Sequence, residues 1–277
     1  LIILDGFGLS AVADANAIYQ ANTPTLLKLL GTYPRTSLLS SGGEVGLQWG
    51  EMGNSEVGHL AIGTGRIILQ DLPRISKAIG NRSFFVNPAL LAACDFVRTN
   101  GSVLHLVGIL STGGVHGHLD HCLALLELAK QQKISRVMLH VIADGRDTPP
   151  KEILRAIGKV ETKMRGSGVG QFATIVGRYY ALDRDKRWER TKLAYQAFVE
   201  SAGRSAPDIR SAVNQAYALG QTDEFIDPTV IANAPRIRDN DAVIFWNFRA
   251  DRVRQLTSAL LSPNFTNFAR KKIPKIR

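Results

Sequence analysis

The sequence predicts an α/β fold built around a mostly parallel sheet, and three patterns predict it. The near-continuous apolar runs SVLHLVGIL (102–110), SRVMLHVIA (135–143), QFATIV (171–176) and DAVIFWNF (241–248) read as buried strands. Helical stretches separate them, which is the spacing of βαβ units. Glycine- and charge-rich loops follow the strands, at the ends where open α/β sheets gather ligands.

Taken in order, LIIL (1–4) reads as a buried strand running into DGFG. TPTLLKLLGTY (23–33) reads as a helix, with Thr23 as cap and Pro24 in the first turn. TSLLS (36–40) reads as a short strand, and GNSEVGHLAIGTG (53–65) as a glycine-bounded turn into a short helix. Residues 69–81 show no strong core pattern and are expected to form a crossover between domains. NPALLAACDFVRT (87–99) opens with Asn87 as cap and Pro88 next, and 118–132 is an amphipathic helix. Further helices are expected over 150–166, 187–201, 208–218 and 250–260. There is no internal repeat.

With 277 residues and 45% hydrophobic content, the chain can bury one large core or two smaller ones. No apolar run approaches the roughly 18–20 residues of a membrane span, so no membrane partner is expected. Cys94 and Cys122 lie far apart without metal-ligand spacing and read as reduced thiols in a cytoplasmic protein. The net charge of +10 invites a nucleic-acid reading. Its distribution argues against one: five of the positive charges sit in the last eight residues, RKKIPKIR, and no aromatic residues interleave with basic ones. Many of the other basic residues are arginines in compact loops, whose guanidinium forks suit small anions. The opening at Leu1 on an apolar run and the basic tail lead us to expect a piece of a longer protein.

The loops after the strands carry the chemistry. Asp5 ends the first apolar run, where a carboxylate suits a divalent metal; an ordinary turn is the alternative. Ser55 starts a helix, where backbone N–H groups favour an anion, and it reads either as a nucleophile or as a helix cap. A serine nucleophile needs a base or a metal, and with no Ser-His-Asp order evident a metal is expected. HGHLDH (116–121) matches the ligand pattern of dinuclear zinc hydrolases, but only His140 follows it, so a polar loop holding one substrate-binding His is expected instead. DGRD (144–147), DRDKRWER (183–190) and NFRADR (247–252) mix carboxylates with arginines, as surface salt bridges also do. A cluster of Arg178, Arg184, Arg249 and Arg252 could hold a small molecule with several negative charges.

Together these motifs resemble the 2,3-bisphosphoglycerate-independent phosphoglycerate mutases, of alkaline-phosphatase type, along the whole chain. The resemblance rests on LDGFG, TPTL with YP, SGGEVGL, GEMGNSEVGHLAIGTGR, GGVHGH, DGRDTPP, GRYYALDRDKRWER, DEFIDP and NFRADR, in that order. It implies a partial phosphatase-like domain over 1–70 and an inserted α/β substrate-binding (phosphotransferase) domain over 71–277. It implies Ser55 as the phosphorylated nucleophile and Asp5 with Ser55 as ligands of one of two divalent metals, Mn2+ or else Mg2+. It implies His116, Arg146, Asp147, Arg178, Arg184, Arg249 and Arg252 as phosphoglycerate-binding residues, with Asp147 also moving the hydroxyl proton.

The implied reaction is the glycolytic interconversion of 3- and 2-phosphoglycerate by an isomerase, monomeric at full length. The family's remaining metal ligands are expected beyond residue 277, so this chain by itself is expected to be inactive. Gly117 stands where the family usually has Ser, Gln48-Trp49 replaces a Pro-containing pair, and Glu51 replaces Gln. The alternative is a short, non-catalytic chain that only binds phosphoglycerate or a partner.

Overall fold

Strands whose side chains are apolar on both faces need layers packed on both, and that requirement shapes most of this molecule. The structure is a computed structural model and describes residues 2–8, 10 and 12–277. It divides into two units, Leu1–Pro73 and Arg74–Arg277.

The first unit holds the helices α1 (Ala17–Gln20), α2 (Pro24–Thr32) and α3 (Ser55–Thr64), and α4 (Asp71–Gly80) begins at its end. Among the described residues, Val45, Leu47 and Val57 form the buried apolar cluster here. The expected strands at 1–4 and 36–40 are absent among the described residues; Leu1 lies outside them. Ile2, Ile3, Leu4, Leu38 and Leu39 are exposed, and neither segment meets a partner ladder, without which an extended chain is no strand. Thr23 precedes α2 but makes no side-chain cap hydrogen bond; Pro24 alone marks the start. Residues 71–80, within the stretch expected to form the crossover, are helical. Leu72, Ile75 and Ile79 recur at helical spacing between polar residues, with Leu72 buried.

The second unit continues through α4 to α5 (Pro88–Asn100), β1 (Leu104–Ile109), α6 (Leu119–Gln131), β2 (Val137–Ala143), α7 (Ile153–Ser167) and β3 (Gln171–Gly177). Then come α8 (Arg178–Ala181), α9 (Trp188–Tyr195), β4 (Arg204–Ala206), α10 (Ile209–Ala218), β5 (Thr229–Ile231), β6 (Ala242–Phe245) and α11 (Ala250–Leu261). A π-helical turn, Gln196–Glu200, extends α9.

The sheet runs β4-β5-β3-β2-β1-β6, parallel throughout except that β5 is antiparallel to β3. Leu104, Leu106, Leu139 and Val141 pack on one face with residues of α5, α6, α7 and α10. Val107, Ile109, Ile142 and Val176 pack on the other with residues of α8, α9 and α11.

A polar chain crosses that second face. Thr174 Oγ1 lies 3.0 Å from His140 Nδ1, His140 Nε2 is 2.9 Å from His105 Nδ1, and His105 Nε2 is 3.2 Å from Asp241 Oδ2. The carboxylate can only accept, so His105 carries its proton on Nε2, His140 donates from Nε2, and Thr174 donates to His140 Nδ1. Both imidazoles are fully buried, and burial lowers the pKa of each.

Beyond Phe245 the expected strand stops. Trp246 Nε1 donates to the Ile109 carbonyl at 2.7 Å, and Asn247 Oδ1 accepts the Ile109 N–H at 2.9 Å. These side chains cap the end of β1. Gly108 lets them come close: a Cβ there would sit 2.4 Å from the Trp246 ring.

Candidate active site

In the first unit, Ser55 is the first residue of α3, behind Asn54, whose side chain accepts the Val57 N–H. Gly53 has room only for hydrogen, because a Cβ would lie 1.7 Å from the Ser40 carbonyl oxygen. That close approach fixes the turn into the helix. Ser55 Oγ donates to Asp5 Oδ2 at 2.6 Å. His59, one turn along α3, places Nδ1 2.8 Å from the Ser55 carbonyl and 3.2 Å from Oγ. A carbonyl accepts only, so Nδ1 carries the proton and cannot take one from Ser55. The arrangement is not a Ser-His-Asp nucleophile.

Asp5 and Ser55 offer one carboxylate and one hydroxyl to a cation. Among the described residues no group of three or more His, Cys, Asp or Glu could hold a metal ion. Divalent cations take about four to eight donors, so the pair fits as part of a metal site and not as a whole one.

The second unit gathers its charged loops at the carboxyl ends of the strands. Asp144 follows β2 and accepts from Ser111 Oγ, which follows β1. Its other oxygen accepts the Asp147 N–H at 3.0 Å and the Arg146 N–H at 3.3 Å, closing the DGRD turn. Arg178, at the end of β3, lays one guanidinium nitrogen 2.6 Å from both Asp144 and Asp147. His116 Nε2 is 3.6 Å from Asp147 Oδ2. The Phe248 N–H donates to the His116 carbonyl at 3.0 Å, tying the loop after β6 to the loop after β1. At the start of α11, Asp251 holds Arg184 at 3.0 Å and Arg249 at 3.1 Å, and Arg252 donates to the Leu182 carbonyl at 3.2 Å. Arg146 is mostly exposed and reaches Glu224 at 4.0 Å.

Charge couples these loops. His116 is buried, which pushes its pKa down to about 4; Arg178, Arg249 and Arg252 push the same way, against Asp147. It is therefore neutral near pH 7. Burial lowers the Arg252 pKa, and the charges of Arg184, Arg178 and Arg146 add to that despite Asp251. Burial pushes the Asp251 carboxyl up, but the hydrogen bond from Arg184 and the charge of Arg249 hold it below its usual value. Five arginines face three aspartates and Glu224 here, an excess of positive charge that favours an anion. His116 Nδ1, Asn247 Nδ2 and Arg252 Nε are buried without a hydrogen-bond partner.

The family model described as "BPG-independent PGAM N-terminus" matches residues 75–277 of this chain. The chain belongs to the bisphosphoglycerate-independent phosphoglycerate mutase family. It is 51% identical over 274 residues to the 2,3-bisphosphoglycerate-independent phosphoglycerate mutase of Moorella thermoacetica, covering 98% of this chain and 53% of that protein. To the Pseudomonas putida enzyme of the same name it is 47% identical over 277 residues, covering 100% and 54%. Leishmania mexicana phosphoglycerate mutase, solved at low cobalt concentration, superposes with a TM-score of 0.79 at 29% identity, over 95% of this chain and 51% of that one. The chain spans about half the length of the curated relatives it matches.

In this mutase-family chain the structure brings His116, Asp147 and Arg178 together, and likewise Arg184 with Arg249 around Asp251. Asp5 and Ser55 meet in the first unit. Sequence reasoning missed Asp144, Asp251, Ser111 and His59 as parts of these clusters. Two of them were within reach: His59 lies four residues after Ser55, and Asp251 sits between two chosen arginines.

Proposed function

We propose that this chain is the N-terminal part of an isomerase that interconverts 3- and 2-phosphoglycerate without bisphosphoglycerate, through a phosphoserine on Ser55. The first unit is then part of an alkaline-phosphatase-type domain, and the second is the inserted domain that holds the substrate. The observation that carries this reading is the arginine cluster of the second unit. Five guanidinium groups, a neutral His116 and buried unpaired nitrogens converge at one end of a sheet, and they suit a ligand bearing both a carboxylate and a phosphate.

In this reading the amides at the start of α3 favour negative charge on Ser55 as it takes the phosphoryl group. Glycerate keeps its carboxylate on the arginines while it turns. Asp147 moves the hydroxyl protons: the one Ser55 gives up on attack passes by way of it to the departing 3-oxygen, and the one from the attacking 2-hydroxyl passes by way of it back to the Ser55 oxygen. Divalent ions, Mn2+ or Mg2+, when bound through Asp5, Ser55 and donors outside these 277 residues, would activate the serine and offset charge on the phosphoryl group.

The test is the chain completed to the length of its relatives. It should isomerise 3-phosphoglycerate without added bisphosphoglycerate, respond to Mn2+ or Mg2+, and lose turnover on Ser55→Ala. Full turnover in that variant removes the assignment. A second reading, binding without catalysis, is favoured for the 277 residues alone: their arginine cluster stands in one unit, whereas Asp5 and Ser55 make only part of a metal site. Calorimetry with 3-phosphoglycerate should then show binding, and an assay of the same chain no turnover.

A further inference from the structure

The DEFIDP segment reaches the arginine cluster only through Glu224, 4.0 Å from Arg146, yet it touches two of the loops that build it. Helix α7 starts right after the DGRDTPP loop, and Glu152, in the cap position, makes no side-chain cap hydrogen bond. The cap comes from elsewhere in the chain. Asp223 Oδ2 accepts the N–H groups of Glu152 at 2.8 Å and Ile153 at 2.9 Å. Its other oxygen accepts from Tyr217 Oη at 2.5 Å, and its N–H donates to the Pro150 carbonyl at 2.8 Å. Asp223 is almost fully buried.

The same segment is pressed against two glycines. A Cβ on Gly145, within the DGRD turn, would lie 2.7 Å from the Glu224 nitrogen and 2.9 Å from Asp223 Cβ. A Cβ on Gly177, immediately before Arg178, would lie 2.3 Å from the Glu224 oxygen and 2.7 Å from the Ile226 nitrogen. The Gly177 N–H donates to the Ile226 carbonyl at 2.8 Å, the Tyr179 ring lies 5.1 Å from that of Phe225, and Tyr180 Oη donates to Asp227 at 2.9 Å. One short segment therefore abuts the turn that carries Arg146 and Asp147 and the helix start that carries Arg178.

We propose that Asp223 is a positioning residue that, by capping α7 and seating its segment on Gly145 and Gly177, sets where Asp147 and Arg178 meet. This rests on the reading of those residues as the ligand-holding cluster. The inference is mechanical: Asp147 and Arg178 come from different strand ends, and a common brace keeps a 2.6 Å contact between them. Misplacing such groups by about 1 Å can cost about a hundredfold in rate.

Three variants test it. Asp223→Asn keeps an oxygen for the two helix N–H groups, whereas Asp223→Ala removes the cap. Gly177→Ala is acceptable to the backbone, since φ is −62° and ψ 145°, and it acts only by pushing on residues 224–226. The first readout is the resonance of the Arg178 terminal guanidinium N–H groups, which donate to Asp144 and Asp147, in the 277-residue chain, assigned with Arg178→Lys, with folding checked by circular dichroism. Its exchange with water should quicken about tenfold or more in Asp223→Ala and Gly177→Ala. In Asp223→Asn it should stay near the parent rate.

The second readout is kcat/KM for 3-phosphoglycerate in the chain completed to its relatives' length. It should fall about 10–100-fold in the first two variants and recover in Asp223→Asn. Unchanged Arg178 exchange in folded Asp223→Ala and Gly177→Ala, or altered exchange with unchanged kcat/KM, overturns the proposal. A completed parent chain without mutase activity overturns the functional reading instead, and the exchange readout still decides whether Asp223 places Arg178.

Discussion

Acid should unfold the second unit over a narrow range, because the fold buries four of its histidines as neutral rings. His105 and His140 lie in the polar chain across the sheet, and His116 and His121 are at most 4% exposed. Burial lowers the pKa of all four, to about 4 for His116 and for His121. The folded pKa lies below the unfolded value near 6.5, so the unfolded chain binds more protons between the two. Stability is therefore full above about pH 6.5 and is lost as pH falls from there toward the folded values.

Each of His116 and His121, with folded values near 4, contributes a slope approaching about 1.4 kcal/mol per pH unit between pH 6 and 5, or about 2.7 kcal/mol for the two, and burial of His105 and His140 adds in the same direction. Domains of this kind have only about 5–15 kcal/mol in total. Asp241 and Asp144, whose carboxyls are held below their usual values despite burial, extend the loss to lower pH. Urea unfolding at pH 7.5, 6.5, 6.0 and 5.5 would measure this. The fluorescence of the buried Trp246 and the half-buried Trp188 serves as probe, both being in the second unit, whereas Trp49 is already exposed. His121→Phe, which keeps a ring beside Phe248, should reduce the slope by about 1 kcal/mol per unit. A stability that changes by less than about 1 kcal/mol between pH 7 and 5 refutes the reasoning.

Other perturbations reach the charged loops and the first unit. Arg178→Met leaves Asp144 and Asp147 facing each other without their shared cation, and should destabilise the second unit by about 3–5 kcal/mol in urea unfolding at pH 7. Gly108→Ala drives a methyl into the Trp246 ring and should cost about 1–3 kcal/mol by the same measurement, with a shift in Trp246 emission. Adding Mn2+ to the 277-residue chain should move its melting temperature by about a degree or less, because Asp5 and Ser55 supply too few donors; a larger rise contradicts the donor count. Arg249→Ala should weaken calorimetric binding of 3-phosphoglycerate by about tenfold or more, and unchanged binding would take Arg249 out of the proposed site.

The main strands of the second unit were legible because their apolar runs are set by burial on both faces, which a sequence displays directly. β4 and β5 were not: at three residues each, with β5 antiparallel, they are held by neighbours more than by their own pattern. The opposite error arose at 1–4 and 36–40, where apolar runs look like strands but find no ladder among the described residues. Helix α4 was missed because Asp71, Arg74, Ser76 and Lys77 interrupt an apolar spacing that is helical all the same.

The candidate site divides along a similar line. Arginines after strands announce themselves, since they recur with glycines and carboxylates in several loops that each follow an apolar run. The groups that aim them do not, because a carboxylate that orients an arginine looks in sequence like any turn aspartate. Asp144 shows the difference. Its environment is fixed by Ser111 from one strand end, by Arg178 from another, and by two N–H groups of its own turn. Only the third of these could be foreseen from local sequence. Burying Asp144 against Arg178 is costly unless every oxygen is satisfied, and here every oxygen is. Ser111→Ala should therefore act on Arg178 through Asp144, and it should disturb the arginine's exchange with water before it disturbs the fold.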